Sequence, residues 1–216
     1  MRKGIGFLAL VGIVAVAASP AAAGVPVKVT ITGQVEFSQI NPPPLGDVQA
    51  GETATMTFAV DSDVFVDDAN FPTRGYEIDQ WSFTQDFDSV SMELADPYPA
   101  GETPYFVIRN DDPAVDGFFV AFTTVHPFGT GLALNQLGFF DYFRDSFRVT
   151  YEGDTLQSLD ILDALGTYDF DGLTVFGWSI DDGPFSPMFI VFDEMTIEII
   201  PMDEDGDGVM DWDDLC

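Results

Sequence analysis

Positive charge is what this sequence has least of. Seven Lys and Arg stand against 37 Asp and Glu, a formal net charge of −30 over 216 residues. So acidic a surface repels phosphate backbones and anionic headgroups, which argues against nucleic acid and anionic membranes as partners. It suits a protein that binds divalent cations, or one that lives in a salty medium. Histidine occurs once, as His126. Zinc catalysis draws on two or three histidines, and no Gly-x-Ser-x-Gly element accompanies His126, so neither a zinc enzyme nor a serine hydrolase is expected. Cysteine also occurs once, as Cys216. A lone cysteine forms no internal disulfide, and no activating base near it marks a nucleophilic thiol. Its position suggests a chain that continues beyond it, or an intermolecular disulfide.

Long apolar runs are missing after residue 23. Before it, Arg2 and Lys3 give a positive start, Ile5 to Ala18 are apolar, and Ala21-Ala22-Ala23 fits the small-residue cleavage rule. The apolar stretch is short for about 30 Å of hydrocarbon, and Ser19-Pro20 interrupts it. Residues 1–23 therefore read as a bacterial export signal, with Gly24 first in the mature chain and no membrane anchor afterwards. The expected location is secreted or cell-surface. Cleavage removes Arg2 and Lys3 and takes the charge from −30 to −32, leaving Lys28, Arg74, Arg109, Arg144 and Arg148.

What is present in residues 24–200 is period-two apolar patterning and 21 Phe in the chain. Val27, Val29, Ile31, Val35 and Phe37 are expected on one face of a strand. Met56, Phe58 and Val60 alternate in the same way, as do Val90, Met92 and Leu94. Further runs are Phe118, Val120 and Phe122, then Phe147, Val149 and Tyr151, then Leu173 to Ile180 and Met188 to Ile200. Such alternation means half-buried strands. Turn-rich clusters separate them at Asn41 to Asp47, Asp96 to Gly101 and Asp181 to Pro184. Ser158 to Leu165 is the one segment with a helical look. The expected fold class is all-β: an antiparallel β-sandwich, jelly-roll-like, followed by a short C-terminal calcium loop.

Acidic pairs are frequent: Asp61 and Asp63, Asp67 and Asp68, Asp111 and Asp112, Asp181 and Asp182. Glycosidases work with two carboxylates at set separations, but with so many acids a pair is first a solvated turn. Asp61 and Asp63 with Asp67 and Asp68 could hold a second calcium. Trp81 and Trp178 are first core residues and second a stacking platform for sugars.

The last segment, 201–216, carries the most specific pattern. Asp203, Asp205 and Asp207 fall at loop positions 1, 3 and 5, and Gly208 at position 6, where the chain must turn sharply. Val209 offers its carbonyl at position 7, Asp211 acts through a water at position 9, and Asp214 closes position 12. Calcium takes about 6–8 oxygen ligands, which alternating Asp side chains supply. The bland alternative is an acidic tail. An EF-hand is disfavoured, because Met195 to Pro201 upstream is strand-like rather than helical. Asp203, Asp205, Asp207, Gly208, Asp211, Asp214 and Cys216 resemble the D-x-D-x-D-G-x-x-D-x-x-D-x-C pattern of a thrombospondin type 3 repeat. That resemblance implies calcium binding, in tandem repeats whose cysteines pair with neighbouring repeats. Thr30 to Val35 and Gly51 to Asp61 are similar to the openings of exported bacterial β-sandwich proteins of the PEP-CTERM-associated kind, which implies fold and export rather than an activity.

The functional expectation is an exported, non-enzymatic calcium-binding protein with a structural, adhesion or extracellular-matrix role. Its partners would be calcium and a cell-surface or matrix protein or polysaccharide. A carbohydrate-binding module using exposed aromatics is the alternative, and an extracellular hydrolase the less favoured one.

Overall fold

A computed structural model describes residues 24–123, 129–183 and 187–201. Twelve strands run as β1 (Pro26–Ser38), β2 (Thr53–Asp67), β3 (Thr73–Ile78), β4 (Thr84–Phe87), β5 (Ser91–Met92), β6 (Tyr105–Asp111), β7 (Val115–Ala121), β8 (Leu132–Leu137), β9 (Tyr142–Glu152), β10 (Gly166–Tyr168), β11 (Leu173–Asp181) and β12 (Met188–Ile199). Helical geometry among the described residues is limited to two short 3₁₀ turns, Leu45–Asp47 and Gln80–Ser82. The all-β class is as expected.

The sandwich is not. Antiparallel pairing runs β1-β12-β11-β9-β7-β6-β3-β2, and β2 pairs back onto β1, which closes an eight-stranded barrel. The register closes cleanly, with Val27 opposite Ile199 on one side and opposite Val60 on the other. Period-two alternation reports which face of each strand is buried. It carries no information on whether the last strand returns to the first, and that return decides between a barrel and two stacked sheets.

The bending comes from strands that change partner along their length. β2 pairs β4 through Ala54–Thr57 and β3 from Val60 onward. β9 pairs β8 near its start and β7 near its end. β12 pairs β11 at Met188 and Phe189, and β10 at Met195–Ile197. Register shifts accompany these ladders, and such bulges bend a strand and raise its local twist. One shift, between Val35 and Phe37, turns Phe37 to the outside, where its ring packs 5.0 Å from that of Phe189. Val27, Val29, Ile31 and Val35 face the interior as expected.

Side chains fill the barrel, as eight strands allow. Phe83, Phe58, Phe106 and Phe118 form a column with successive ring centroids 6.3, 5.4 and 5.8 Å apart, ending on Tyr168 at 4.6 Å. Trp178, Phe147 and Phe192 form a second group, each step 5.7 Å. Ser158 to Leu165, the segment with helical character in the sequence, is a turn and not a helix. Ser158 accepts from the Asp160 N–H and Asp160 from that of Leu162, so local side-chain bonds replace helical ones. Its Ile161 and Ala164, with Leu156 just before it, are buried against the end of the barrel near the start of β1. Tyr76 holds the segment by donating to the Leu159 carbonyl at 2.8 Å and accepting from the Ile161 N–H at 2.9 Å. Leu45 plugs the other end, its N–H bonded to Gln136 at 3.1 Å.

Gly33 occupies an interior position of β1 where the pattern calls for an apolar residue. A Cβ there would strike the Val191 carbonyl and come within 2.9 Å of the Trp178 ring and 3.0 Å of Ile190. The glycine makes room for the indole. Gly33→Ala is expected to destabilise by about 1–3 kcal/mol, the usual cost of overpacking a core. Urea melts check this, and an unchanged midpoint would mean that Trp178 is not seated against β1.

Candidate functional site

Trp81 is 79 % exposed, although the chain around it is tightly held. It lies on the 3₁₀ turn between β3 and β4, which spans the point where β2 passes from one partner to the other. Asp79 begins the turn, its carboxylate accepting from the Trp81 N–H at 3.1 Å. Ser82 donates to the Asp79 carbonyl at 2.7 Å and accepts from the Ala59 N–H of β2 at 2.8 Å. The Gln80 amide reaches the Ala95 carbonyl at 2.9 Å. Phe83, next along, is buried against Phe58. Backbone and neighbours are fixed, and the indole alone is left in solvent.

Two grooves flank it. One, of about 300 Å³, is lined by Asp61, Val64, Glu77, Asp79 and Pro104 beside the indole. The other, of about 190 Å³, is bounded by Trp81, Phe83, Glu93, Leu94 and Asp96. Glu77, Glu93 and Asp96 accept no side-chain hydrogen bond and form no ion pair among the described residues. Each groove therefore brings carboxylate acceptors beside the ring, Asp61, Glu77 and Asp79 in one and Glu93 and Asp96 in the other.

A third groove, of about 330 Å³, runs over β9 and β11 and is lined by Thr130, Ser146, Arg148, Ser179, Asp181 and Phe189 among others. Arg148 forms no ion pair among the described residues. The other described cations are all engaged: Lys28 with Glu198 at 3.2 Å, Arg74 with Asp67 at 2.6 Å, Arg109 with Asp111 at 2.7 Å and Arg144 with Glu102 at 3.0 Å.

The two tryptophans considered together in the sequence part company. Trp178 is core, 2 % exposed, and only Trp81 is available to a ligand. The signal was in the sequence: Asp79-Gln80-Trp81-Ser82 breaks the strand alternation with a capping residue placed to hold a turn. The acidic pairs resolve into local structure. Asp61 accepts from the Asp63 N–H, Asp67 is held by Arg74 and Asp68 accepts from the Asn70 N–H. Asp111 pairs with Arg109, while Asp181 and Asp182 accept from Gly183 and Phe139. No group of three or more metal-ligating side chains forms among the described residues, so the second calcium site near Asp61 and Asp63 is not assembled. Asp203, Asp205, Asp207, Val209, Asp211 and Asp214 lie outside the described residues, as do His126 and Cys216. Compared with protein-family models, curated proteins and solved structures, the chain matches none.

One buried acid escaped the sequence reading because it sits in an apolar alternation. Asp145 faces the interior between Phe143 and Phe147 and is fully buried. Its Oδ1 accepts from the Trp178 indole N–H at 2.8 Å, and its Oδ2 has no partner. Burial pushes its carboxyl up to about 8, against the smaller opposing effect of the indole bond. It is therefore a neutral acid in the native state at neutral pH. Once unfolded it ionises near its ordinary value of about 3.9. Through the interval between, the native state keeps a proton that the unfolded chain has lost. Stability therefore falls as pH rises, by up to about 1.4 kcal/mol per pH unit, and levels off once the native carboxyl ionises. Asp145→Asn keeps an acceptor for Trp178 and removes the titration. Its gain in melting temperature over wild type is expected to widen from about pH 5 to about pH 8, the window set by the raised carboxyl. Parallel curves for the two proteins would rule out a neutral Asp145.

Proposed function

We propose that this is an exported, non-enzymatic calcium-binding protein with a structural, adhesive or matrix role, its barrel followed by a calcium-binding loop. One observation carries the reading: the placement of Asp203, Asp205, Asp207, Gly208, Val209, Asp211 and Asp214 at the ligand and turn positions of a twelve-residue calcium loop. Seven acids between Asp203 and Asp214 repel one another without a cation. A bound calcium neutralises them, and its binding free energy becomes ordering free energy.

The attachment of this segment fits the reading. β12 stays in register with β1 to Ile199, and the Ile200 N–H donates to the Pro26 carbonyl at 2.9 Å. Asp203 thus follows a firmly paired strand by only a few residues. A segment stiffened by an ion next to a closed barrel is a mechanical element, and that suits linkage or adhesion. Residues 1–23, read as an export signal, support this reading, because outside the cell millimolar calcium is common.

Extracellular modules bind calcium at about 10⁻⁴–10⁻³ M, the range expected for this loop. Calorimetry of the mature protein is expected to show calcium heat that is lost on replacing both Asp205 and Asp207 by Ala. Magnesium should substitute poorly, because it demands a tight octahedral shell and sheds water reluctantly. Undiminished heat in the double variant, or equal responses to both ions, would leave only an acidic tail that screens its charge.

The barrel's closure and its apolar column lie wholly before Pro201. A chain ending at Pro201 is therefore expected to give a β-type circular dichroism spectrum and a cooperative melt in chelator. A disordered spectrum would mean that the ion is needed to fold the barrel itself.

A further inference from the structure

We propose that Trp81 is the stacking platform of a binding site for neutral polysaccharide, the chain lying across the indole with hydroxyls directed into the grooves on either side. This deepens the adhesive reading by assigning the partner of the barrel, and it is independent of the calcium loop.

Exposure alone would not carry the assignment. A 79 %-exposed indole on a loosely held loop would be surface noise, but this one is mounted on a turn whose every neighbour is tied down. A ligand that stacks on it orders little that is not already ordered, which removes much of the entropy cost of binding. The grooves on both sides make the site a crossing point rather than a closed pocket, which suits a polymer longer than one residue.

The chemistry of the walls selects among occupants. Glu77 in one groove, and Glu93 and Asp96 in the other, are carboxylates that form no ion pair among the described residues. An apolar protein surface closing over them would leave charged acceptors desolvated and unpaired, which is costly. Sugar hydroxyls would instead donate to them, and a hydrogen bond to an ionised acceptor is stronger than one between neutral groups. The apolar C–H face of a pyranose meets the flat indole at the same time. Anionic glycans are disfavoured by the same carboxylates and by the net charge of −30. A neutral, hydroxyl-rich chain satisfies both the ring and the walls.

The test is affinity electrophoresis of the full mature chain in gels containing soluble β-glucan, galactomannan, xyloglucan or xylan. Polygalacturonate serves as the anionic counterpart. Hexasaccharides of the retarding polymer are then titrated by calorimetry. At least one neutral polymer is expected to retard the protein. Trp81→Ala should weaken hexasaccharide binding at least tenfold with an unchanged melting temperature, and Trp81→Phe should weaken it less. Binding should persist in chelator and in the Asp205→Ala, Asp207→Ala protein, so that loss of the calcium loop and loss of this site are told apart. Four outcomes would overturn the assignment: no retardation by any neutral polymer, full affinity in Trp81→Ala, equal retention by polygalacturonate, or binding that vanishes in chelator. Trp81-dependent binding of a proline-rich peptide with no glycan bound would also overturn it, by making the partner a protein.

Discussion

The structure depends on β1 being hydrogen-bonded along both of its edges. From Val27 to Gln34 each residue has a partner on β12 and another on β2. A strand at the edge of a sandwich would leave a row of unpaired amides and carbonyls open to other chains. Here the first strand of the fold is a central one, and the ladder returns on itself. Much follows from that. A closed ring of eight strands has a fixed bore, so the interior must be filled to a set volume. Large rings do this with few residues: Phe58, Phe83, Phe106, Phe118, Phe143, Phe147 and Phe192 are buried, while others such as Phe139 and Phe140 lie on the surface. Close packing also explains why one interior position of β1 holds Gly33: a β-carbon there would strike the Val191 carbonyl first and crowd the Trp178 ring and Ile190 next.

The same geometry decides where surface features can arise. Regular strands in a closed barrel offer alternating side chains and little relief. Relief appears where strands split between partners, because the connection must cross the gap. The turn carrying Trp81 crosses at the split of β2 between β4 and β3. The β8–β9 hairpin exposes Leu137, Phe139 and Phe140 around its tip, at the end of β9 remote from its switch to β7, with Phe139 89 % exposed. At the Trp81 turn, closure and presentation are thus two consequences of one device, the partner switch within a long strand.

Legibility in the sequence divides along physical lines. Alternation is local, and it located the long strands and their buried faces at Val27–Val35, Met56–Val60 and Phe147–Tyr151. Closure is non-local, resting on pairing between residues such as Val27 and Ile199, and nothing in either segment alone encodes it. Phe37 went astray because a bulge reverses the face of every residue beyond it, and an extra residue in a strand leaves no mark on composition. Ser158 to Leu165 reads as helical by its apolar spacing, but its Ser and Asp side chains satisfy the backbone in a turn. A strand as short as β10, three residues long, falls below the length at which alternation is visible. Trp81 and Trp178 look alike in sequence, and only the fold shows that one is wedged in the core and the other mounted on a capped turn. Asp145 was hidden for the opposite reason: an acid within an apolar alternation reads as an outward residue until its neighbours are placed.

Charge supplies the last constraint on partners. Three of the four paired cations, Lys28, Arg74 and Arg109, bond to acids on the same or an adjacent strand, and Arg144 reaches Glu102 in the loop before β6. Lys28 and Glu198 are direct cross-strand neighbours between β1 and β12, and Arg74 and Asp67 between β3 and β2. Arg74 also lies 3.8 Å over the Phe65 ring, and Arg144 4.6 Å over that of Phe122, so their positive charge is partly covered. The more exposed pairs, Lys28–Glu198 and Arg109–Asp111, add little stability, on the order of 0–1 kcal/mol each, whereas Arg144–Glu102 is bidentate and mostly buried. Their larger effect is on the field: most of the positive charge is consumed within the wall, and acid dominates what remains. Such a surface disfavours anions and is compatible with the two partners proposed above. One is the cation that the Asp203–Asp214 segment is spaced to take. The other is a neutral chain that meets acidic walls with hydroxyl donors, and the Trp81 turn is where the barrel offers it a flat face.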